Sequence, residues 1–193
     1  MRKEESVTNM RLTAALSLFL CFCFALTAAP PTPRRAPEIS FTIPSQGQRK
    51  LSDYLGKVVA LEFIYTTCTP CANAAQSMQK LQAEFGAEGF QAIAVAFNPN
   101  AEVLVEDFVN SNHLTLPVGW TLGSDVTSFL GYGPADRFVA PQVVLIDPTG
   151  LIRYQTRAQG DDGHRGGPML REQILQMLHP AQTSPKGAAP THR

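Results

Sequence analysis

The sequence predicts an α/β protein with a mixed central sheet, and three observations support this prediction. Residues 58–64 form an almost uninterrupted apolar run, which is typical of a central strand buried on both faces. The run leads into Cys68 and Cys71, after which the hydrophobic period changes to 3.6 and predicts a helix to about Gly86. A second apolar run, 90–97, then completes a strand, helix and parallel strand of right-handed connection.

The remaining segments predict the antiparallel part of the sheet and three further helices. Two apolar segments, 142–146 and 151–157, flank the turn sequence Asp-Pro-Thr-Gly and predict an antiparallel hairpin. Alternating apolar residues predict an edge strand within 38–43, followed by a turn at 45–49. The other predicted elements are a helix at 101–111 capped by Asn100, a short strand within 114–120, a short helix at 124–131 and a last helix at 169–178.

Length and composition indicate one domain with terminal extensions. The chain has 193 residues, of which 44% are hydrophobic and 17% are charged, as in ordinary globular proteins. Its formal net charge is zero, so charge gives no reason to expect nucleic acid or an anionic membrane surface as a partner.

The N-terminus predicts export. Residues 12–29 are nearly all apolar, follow Arg11 and end in a small-residue segment at 25–29, which is the pattern of a signal peptide or signal anchor. A start at Met10 would give a neater signal than Met1. Cleavage is expected near Ala28 or Ala29, and an uncleaved segment would be just long enough to anchor the chain in a membrane. We therefore expect the protein in the bacterial periplasm or cell envelope.

These features predict four parts of the chain. Residues 1–29 are the signal peptide or anchor, 30–37 a proline-rich extended linker, 38–179 the folded domain and 180–193 a disordered tail.

The spacing of two cysteines predicts redox chemistry. Cys21 and Cys23 lie in the apolar N-terminal run, so the exported domain retains Cys68 and Cys71. A bridge across so short a loop would stabilise the fold little. At a helix start, backbone N–H groups and the helix dipole lower the pKa of a thiol, so Cys68 is the expected nucleophile and Cys71 the resolving thiol. Half of a zinc site and a structural bridge remain alternative interpretations of the same spacing.

Glu62 is an acid inside the apolar run, six residues before Cys68. Burial of a carboxyl is costly unless it has a partner or a task, and desolvation would raise its pKa. Glu62 is therefore a candidate to take the proton from Cys71. The alternative is that the strand frays there and the side chain points into water.

The strand, the motif Cys68-Thr69-Pro70-Cys71 and the following helix resemble the thioredoxin superfamily, and the flanking segments 51–57 and 140–150 resemble its exported TlpA/ResA-type branch. The resemblance covers about 37–178 and implies a thioredoxin-like three-layer α/β/α fold, with an extra N-terminal strand and a β-α insertion. It also implies an exported thiol–disulfide oxidoreductase that reduces protein disulfides, for example in cytochrome c maturation.

The same resemblance assigns residues to substrate binding. Pro141 matches the cis-proline of the family, and Ala140 beside it would offer main-chain groups to a substrate peptide. Thr67, Thr69 and Pro70 would border the exposed sulfur. Thr67 departs from the family, which usually has tryptophan before the first cysteine.

No diffusible cofactor is expected beyond the redox-active Cys68–Cys71 disulfide. The implied partners are protein disulfide substrates and a membrane-bound thiol donor, because the exported compartment is oxidising. The protein is expected to be a monomer. No metal site is predicted, since His113 and His164 have no ligand spacing to either cysteine.

Two other functions share the expected scaffold. A Sco-like copper chaperone would have three residues between its cysteines and a histidine before the 142–147 strand, whereas this chain has two residues and no such histidine. A peroxiredoxin-like peroxidase would have threonine three residues before the reactive cysteine, where this chain has Tyr65.

Overall fold

A computed structural model describes residues 30–44, 46–133, 135–160 and 167–180, and within them helices pack on both faces of a mixed sheet. The strands are β1 Arg34–Arg35, β2 Ser40–Ile43, β3 Gly47–Lys50, β4 Val58–Ile64, β5 Phe90–Ala96, β6 Val118–Trp120, β7 Gln142–Ile146 and β8 Leu151–Gln155. The helices are α1 Thr69–Phe85, α2 Ala101–Ser111, α3 Gly123–Leu130 and α4 Pro168–Leu178, and short 3-10 turns cover Leu51–Tyr54 and Gly86–Glu88.

The sheet has the strand order β1-β8-β7-β4-β5-β6-β2-β3. β4, β5 and β6 are parallel to one another, whereas β7 runs antiparallel to β4 and β8 runs antiparallel to β7. The parallel β4-α1-β5 unit and the β7-β8 hairpin are both as predicted. The carboxyl ends of the parallel strands and the start of β7 therefore meet at one edge of the sheet.

β4 divides the core into two layers because all seven of its residues are buried. Val58, Ala60 and Ile64 pack on one face with residues of α1, α2 and α4. Val59, Leu61 and Phe63 pack on the other face with residues of α3 and β2. The alternation of strand side chains thus produces the predicted three-layer α/β/α arrangement.

The prediction for 38–49 was partly wrong. β2 forms there but is not an edge strand, because residues assigned to a turn form β3 outside it. Gly47 has a positive φ of 75°, which glycine adopts without strain, and this lets the chain reverse directly into β3.

The predicted linker 30–37 also contributes to the fold. Its two arginines form β1, which pairs with β8, and the Arg34 guanidinium donates to the Phe129 carbonyl (3.2 Å) and to Gln155 Oε1 (2.6 Å). The folded domain therefore begins before residue 38. Asn100 precedes α2 as predicted, but it has a positive φ of 61° and its side chain makes no capping bond.

The predicted N-terminal signal or anchor and all of the predicted tail except Pro180 lie outside the described residues. Among the helices that the structure does describe, none combines the length and apolar character needed to cross a membrane.

We predict that Gly119→Ala destabilises the domain by about 1–3 kcal/mol, because an added methyl group would overpack the β2–β6 contact. Its Cβ would lie 2.9 Å from the Thr42 carbonyl oxygen and 3.1 Å from a Phe41 ring carbon. The measurement is the free energy of unfolding from urea titration. Gly123→Ala is the matched control, because its Cβ would have no neighbour closer than 3.6 Å and alanine favours the helix. Equal stability of the two variants would contradict the prediction.

Candidate active site

Cys68 and Cys71 lie at the edge of the sheet where β4 ends. Cys68 is the N-cap residue of α1, and its sulfur accepts a hydrogen bond from the Cys71 N–H at 3.2 Å. The two cysteines form a disulfide, with their Cα atoms 5.2 Å apart. Pro70, in the first turn, lacks a donor that would have no partner inside the helix. The predicted position of the dithiol at a helix start is therefore correct.

The two sulfurs differ in access. Cys71, in the first turn of α1, is fully buried in the core, whereas Cys68 is partly exposed. Thr67, Thr69 and Pro70 are exposed around it. A disulfide on another protein can therefore reach Cys68, while Cys71 can react with Cys68 Sγ once that sulfur is part of a mixed disulfide.

The electrostatic field at Cys68 comes from the backbone. The first turn of α1 reads Thr-Pro-Cys-Ala and contains no charged side chain, so the helix N-terminus acts without a local counter-charge. In the reduced protein, the Cys71 N–H that now bonds Cys68 Sγ would stabilise a thiolate at the same atom.

The segment before β7 forms the wall facing Cys68. The Ala140–Pro141 peptide bond is cis, as the family resemblance implied, and the Ala140 carbonyl oxygen lies 3.9 Å from Cys68 Sγ. Pro141 is buried and Ala140 is half-buried. The structure therefore brings these two predicted residues against the dithiol, 72 residues away along the chain.

Gln142 holds this wall and was not predicted from the sequence. Its fully buried side-chain amide donates to the carbonyls of Val139 (2.7 Å) and Arg157 (3.2 Å), and its oxygen lies 3.5 Å from the Tyr132 hydroxyl. The one available signal was a polar residue at the start of an apolar strand, directly after Pro141.

Glu62 lies in the middle of β4, between Ala94 of β5 and Val143 of β7. Strand alternation puts it on the same face as Ala60 and Ile64, which pack in the core cluster that contains Cys71. The side chain is fully buried, and neither carboxyl oxygen has a hydrogen-bond partner among the described residues. The alternative of a frayed strand with Glu62 in water is therefore wrong.

Burial determines the protonation of Glu62. Desolvation raises the pKa of its carboxyl from the usual 4.5 to about 8. The group is therefore mostly protonated at neutral pH, yet close enough to its pKa to exchange a proton.

Aromatic rings lie beside the approach to Cys68. Tyr65 is 41% exposed and contacts Phe97 with ring centroids 4.5 Å apart. Phe97 stacks on Phe138 at 5.8 Å, and Phe138 stacks on Tyr132 at 5.0 Å. These contacts connect the turn before Cys68 with the segment before Pro141 through the apolar core.

Of the two histidines considered from the sequence, the structure describes one. His113 is exposed at the end of α2, and His164 lies outside the described residues. In the part of the chain that the structure describes, no group of three or more His, Cys, Asp or Glu residues is arranged to hold a metal ion.

Comparison with known families and proteins agrees with this geometry. The family model described as AhpC/TSA matches residues 33–155. The thiol-disulfide oxidoreductase ResA of Oceanobacillus iheyensis is 34% identical over 107 residues, which are 55% of this chain and 53% of that protein, so the chain spans about half the length of this relative. ResA of Bacillus thuringiensis is 30% identical over 65% of this chain and 72% of its own length. ResA of Geobacillus thermodenitrificans is 28% identical over 79% and 88%, respectively.

Solved structures give the same fold. A Chlorobium tepidum protein provisionally assigned as the thiol:disulfide interchange protein DsbE aligns with a TM-score of 0.65 and 26% identity, covering 77% of this chain and 98% of that one. A second thiol:disulfide interchange protein of Chlorobium tepidum, 19% identical with a TM-score of 0.62, supports the fold alone and covers 78% and 99%. The predicted thioredoxin-like fold and ResA-type resemblance are confirmed.

We predict that the stability of the protein falls as pH rises from about 4.5 to about 8. Folded Glu62 holds its proton up to about pH 8, whereas the unfolded carboxyl loses it near 4.5, so the folded state binds more protons in this window. The slope for this group approaches about 1.4 kcal/mol per pH unit. Urea titrations between pH 5.5 and 8.5 measure the slope.

The Glu62→Gln variant should have a flatter profile, because its amide does not titrate. Glu106→Gln, on an exposed position of α2, is the matched control and should keep the wild-type slope. A wild-type slope in Glu62→Gln would contradict the assigned protonation.

Proposed function

The chain belongs to the AhpC/TSA family of thioredoxin-like proteins and is a thiol–disulfide oxidoreductase, and on this premise we propose that it reduces protein disulfides outside the bacterial cytoplasm. The observation that carries the proposal is the difference between the two cysteines. A partly exposed Cys68 caps a helix. The buried Cys71 packs on the same side of the sheet as a protonated carboxyl that has no hydrogen-bond partner among the described residues.

The reaction begins with the Cys68 thiolate of the reduced protein. It attacks one sulfur of a substrate disulfide, forms a mixed disulfide and displaces the other substrate sulfur as a thiolate, which takes up a proton. The helix N-terminus and the Cys71 N–H stabilise the attacking anion at Cys68 Sγ.

Resolution requires the second cysteine to lose its proton. The fraction of Glu62 that is ionised accepts the proton of the Cys71 thiol, and the Cys71 sulfur attacks Cys68 Sγ. The Cys68–Cys71 disulfide forms, and the second substrate sulfur leaves as a thiolate, which takes up a proton from water. The substrate has then gained two electrons and two protons, and the protein is in the disulfide state that the structure contains.

The surroundings of Cys68 favour a polypeptide as substrate. Ala140 offers main-chain groups beside the sulfur, and an extended peptide can pair with such a segment strand against strand. Thr67, Thr69 and Pro70 present a small, uncharged surface, and exposed Tyr65 and Val139 extend it with apolar groups. Disulfides of apocytochrome c, reduced before haem attachment, are the substrate class that we propose.

The cellular setting follows from the N-terminal segment and the chemistry. Residues 12–29 would direct export to the periplasm or envelope and, if uncleaved, would anchor the protein there. Because that compartment is oxidising, the Cys68–Cys71 disulfide needs a membrane-bound thiol donor to be reduced again. No diffusible cofactor takes part in this scheme, and the working unit is a monomer.

We predict that Cys68→Ala abolishes reduction of a disulfide-containing protein such as insulin, and that Cys71→Ala accumulates the mixed disulfide because its resolving thiol is missing. Reduction is followed by insulin turbidity, and the covalent complex by non-reducing electrophoresis and mass spectrometry. Turnover by Cys68→Ala, or no trapped complex with Cys71→Ala, would overturn the assigned roles.

Glu62→Gln should slow resolution by about 100-fold, the lower end of a typical general acid–base contribution, while leaving formation of the mixed disulfide unchanged. Stopped-flow kinetics of the two steps measure this difference. The control Glu106→Gln should match the wild type in both steps, and a Glu62→Gln protein with normal resolution would exclude Glu62 as the proton acceptor.

The reduction potential of the Cys68–Cys71 couple tests the direction of electron flow. Equilibration of the protein in glutathione buffers should give a value of about −250 mV or lower, in the range of thioredoxin-like reductants. A value near −120 mV, which is roughly that of a strong disulfide donor, would reverse the proposed direction.

A further inference from the structure

The turn that presents Cys68 contains only three residues between the end of β4 and the helix cap. Its own backbone closes one hydrogen bond, from the Cys68 N–H to the Tyr65 carbonyl at 3.1 Å. Tyr65 and Thr67 are exposed and Thr66 is half-buried, so packing over the turn is thin. The position of Cys68 therefore depends on what holds Thr66, the middle of the turn.

Asn98, two residues after the end of β5, forms hydrogen bonds with the backbone N–H and the hydroxyl of Thr66. Its Oδ1 accepts from the Thr66 N–H at 2.8 Å, and its Nδ2 donates to Thr66 Oγ1 at 3.0 Å. The same Nδ2 lies 3.0 Å from the Pro99 carbonyl, which orients the amide. One side chain thus satisfies a backbone donor and a hydroxyl two residues before the reactive sulfur.

Two contacts of Phe97, the residue before Asn98, also attach this turn to the sheet, beside the Asn98–Thr66 hydrogen bonds. The Phe97 N–H donates to the Ile64 carbonyl at 3.2 Å, and the Phe97 ring contacts Tyr65. These contacts hold the base of the turn, before Thr66. The Asn98 amide acts further along, where the chain leaves the sheet and approaches Cys68.

We propose that Asn98 is a positioning residue for Cys68. By holding Thr66, it keeps Cys68 Sγ within 3.2 Å of the Cys71 N–H and against the Ala140 segment. Without it the turn gains freedom, the sulfur spends less time at that N–H, and the thiolate loses part of its stabilisation. The role of Cys68 as the nucleophile rests on the proposed function. The effect of Asn98 on the position of the Cys68 thiol does not depend on that function.

The test is the pH dependence of Cys68 alkylation by iodoacetamide in the reduced full-length protein, with peptide mass spectrometry assigning the label to Cys68. Asn98→Ala should raise the apparent pKa of this thiol and slow its alkylation about three- to tenfold at pH values below that pKa. Asn110→Ala, an exposed asparagine on α2, is the matched control and should retain the wild-type profile.

A second pair of variants tests the hydroxyl half of the contact. Thr66→Val keeps the N–H bond to Asn98 and loses the hydroxyl, so it should shift the profile by less than Asn98→Ala, whereas Thr66→Ser should restore the wild-type profile. A purely structural role would lower the thermal midpoint and leave the pH profile in place. If Asn98→Ala does not fold, Thr66→Val against Thr66→Ser decides the question.

Two results would overturn the proposal. These are a wild-type alkylation profile in Asn98→Ala (or in Thr66→Val, if Asn98→Ala does not fold), and an equal shift in Asn110→Ala. Insulin reduction by the wild-type protein is measured separately. If the wild-type protein does not reduce insulin but its alkylation profile depends on Asn98, the proposed function is rejected and the positioning role is kept. If the wild-type protein reduces insulin but the alkylation profile does not depend on Asn98, the positioning role is rejected and the proposed function is kept.

Discussion

Burial of β4 on both faces of the sheet keeps Glu62 protonated, and the end of this strand places the dithiol. The strand lies between β5 and β7, and all seven of its residues are shielded from water. A carboxyl in this strand cannot keep its charge cheaply, so Glu62 holds its proton to about pH 8. The same strand ends four residues before Cys68, which places the dithiol at the edge of the sheet.

The helix that follows β4 separates the environments of two chemically identical thiols. α1 packs on the face of the sheet that contains Glu62, so Cys71 is enclosed while Cys68, one turn earlier, remains in contact with solvent. A backbone N–H group bonds the outer sulfur, and a desolvated carboxyl lies on the same face of the sheet as the inner one. This difference in environment is the basis for the proposed division of attack and resolution between the two cysteines.

Two side-chain amides hold the backbone on either side of Cys68. Asn98 holds the turn that precedes the cysteine, and Gln142 holds the segment before Pro141. Their segments extend from β5 and into β7, the two strands that flank β4. Three adjacent strands therefore assemble the site at one edge of the sheet. The two amides attach the backbone segments beside Cys68 to these strands.

Local patterns in the sequence were sufficient to predict the redox motif at a helix start, the buried acid in β4, the parallel β4-α1-β5 unit and the β7-β8 hairpin. Each of these depends on periodicity or spacing within a few residues, where burial imposes a periodicity of 2 or 3.6 on the sequence. The α2 bounds were predicted to the residue for the same reason.

The tertiary structure alone decided which distant segments of the chain are in contact. β1 and β3 are short and polar, so they have no hydrophobic alternation, and they exist because backbone groups of β8 and β2 pair with them. Asn98 and Gln142 look like ordinary polar residues in the sequence, since their partners lie up to 32 residues away. Such contacts depend on the order of strands in the sheet, which short-range periodicity does not specify.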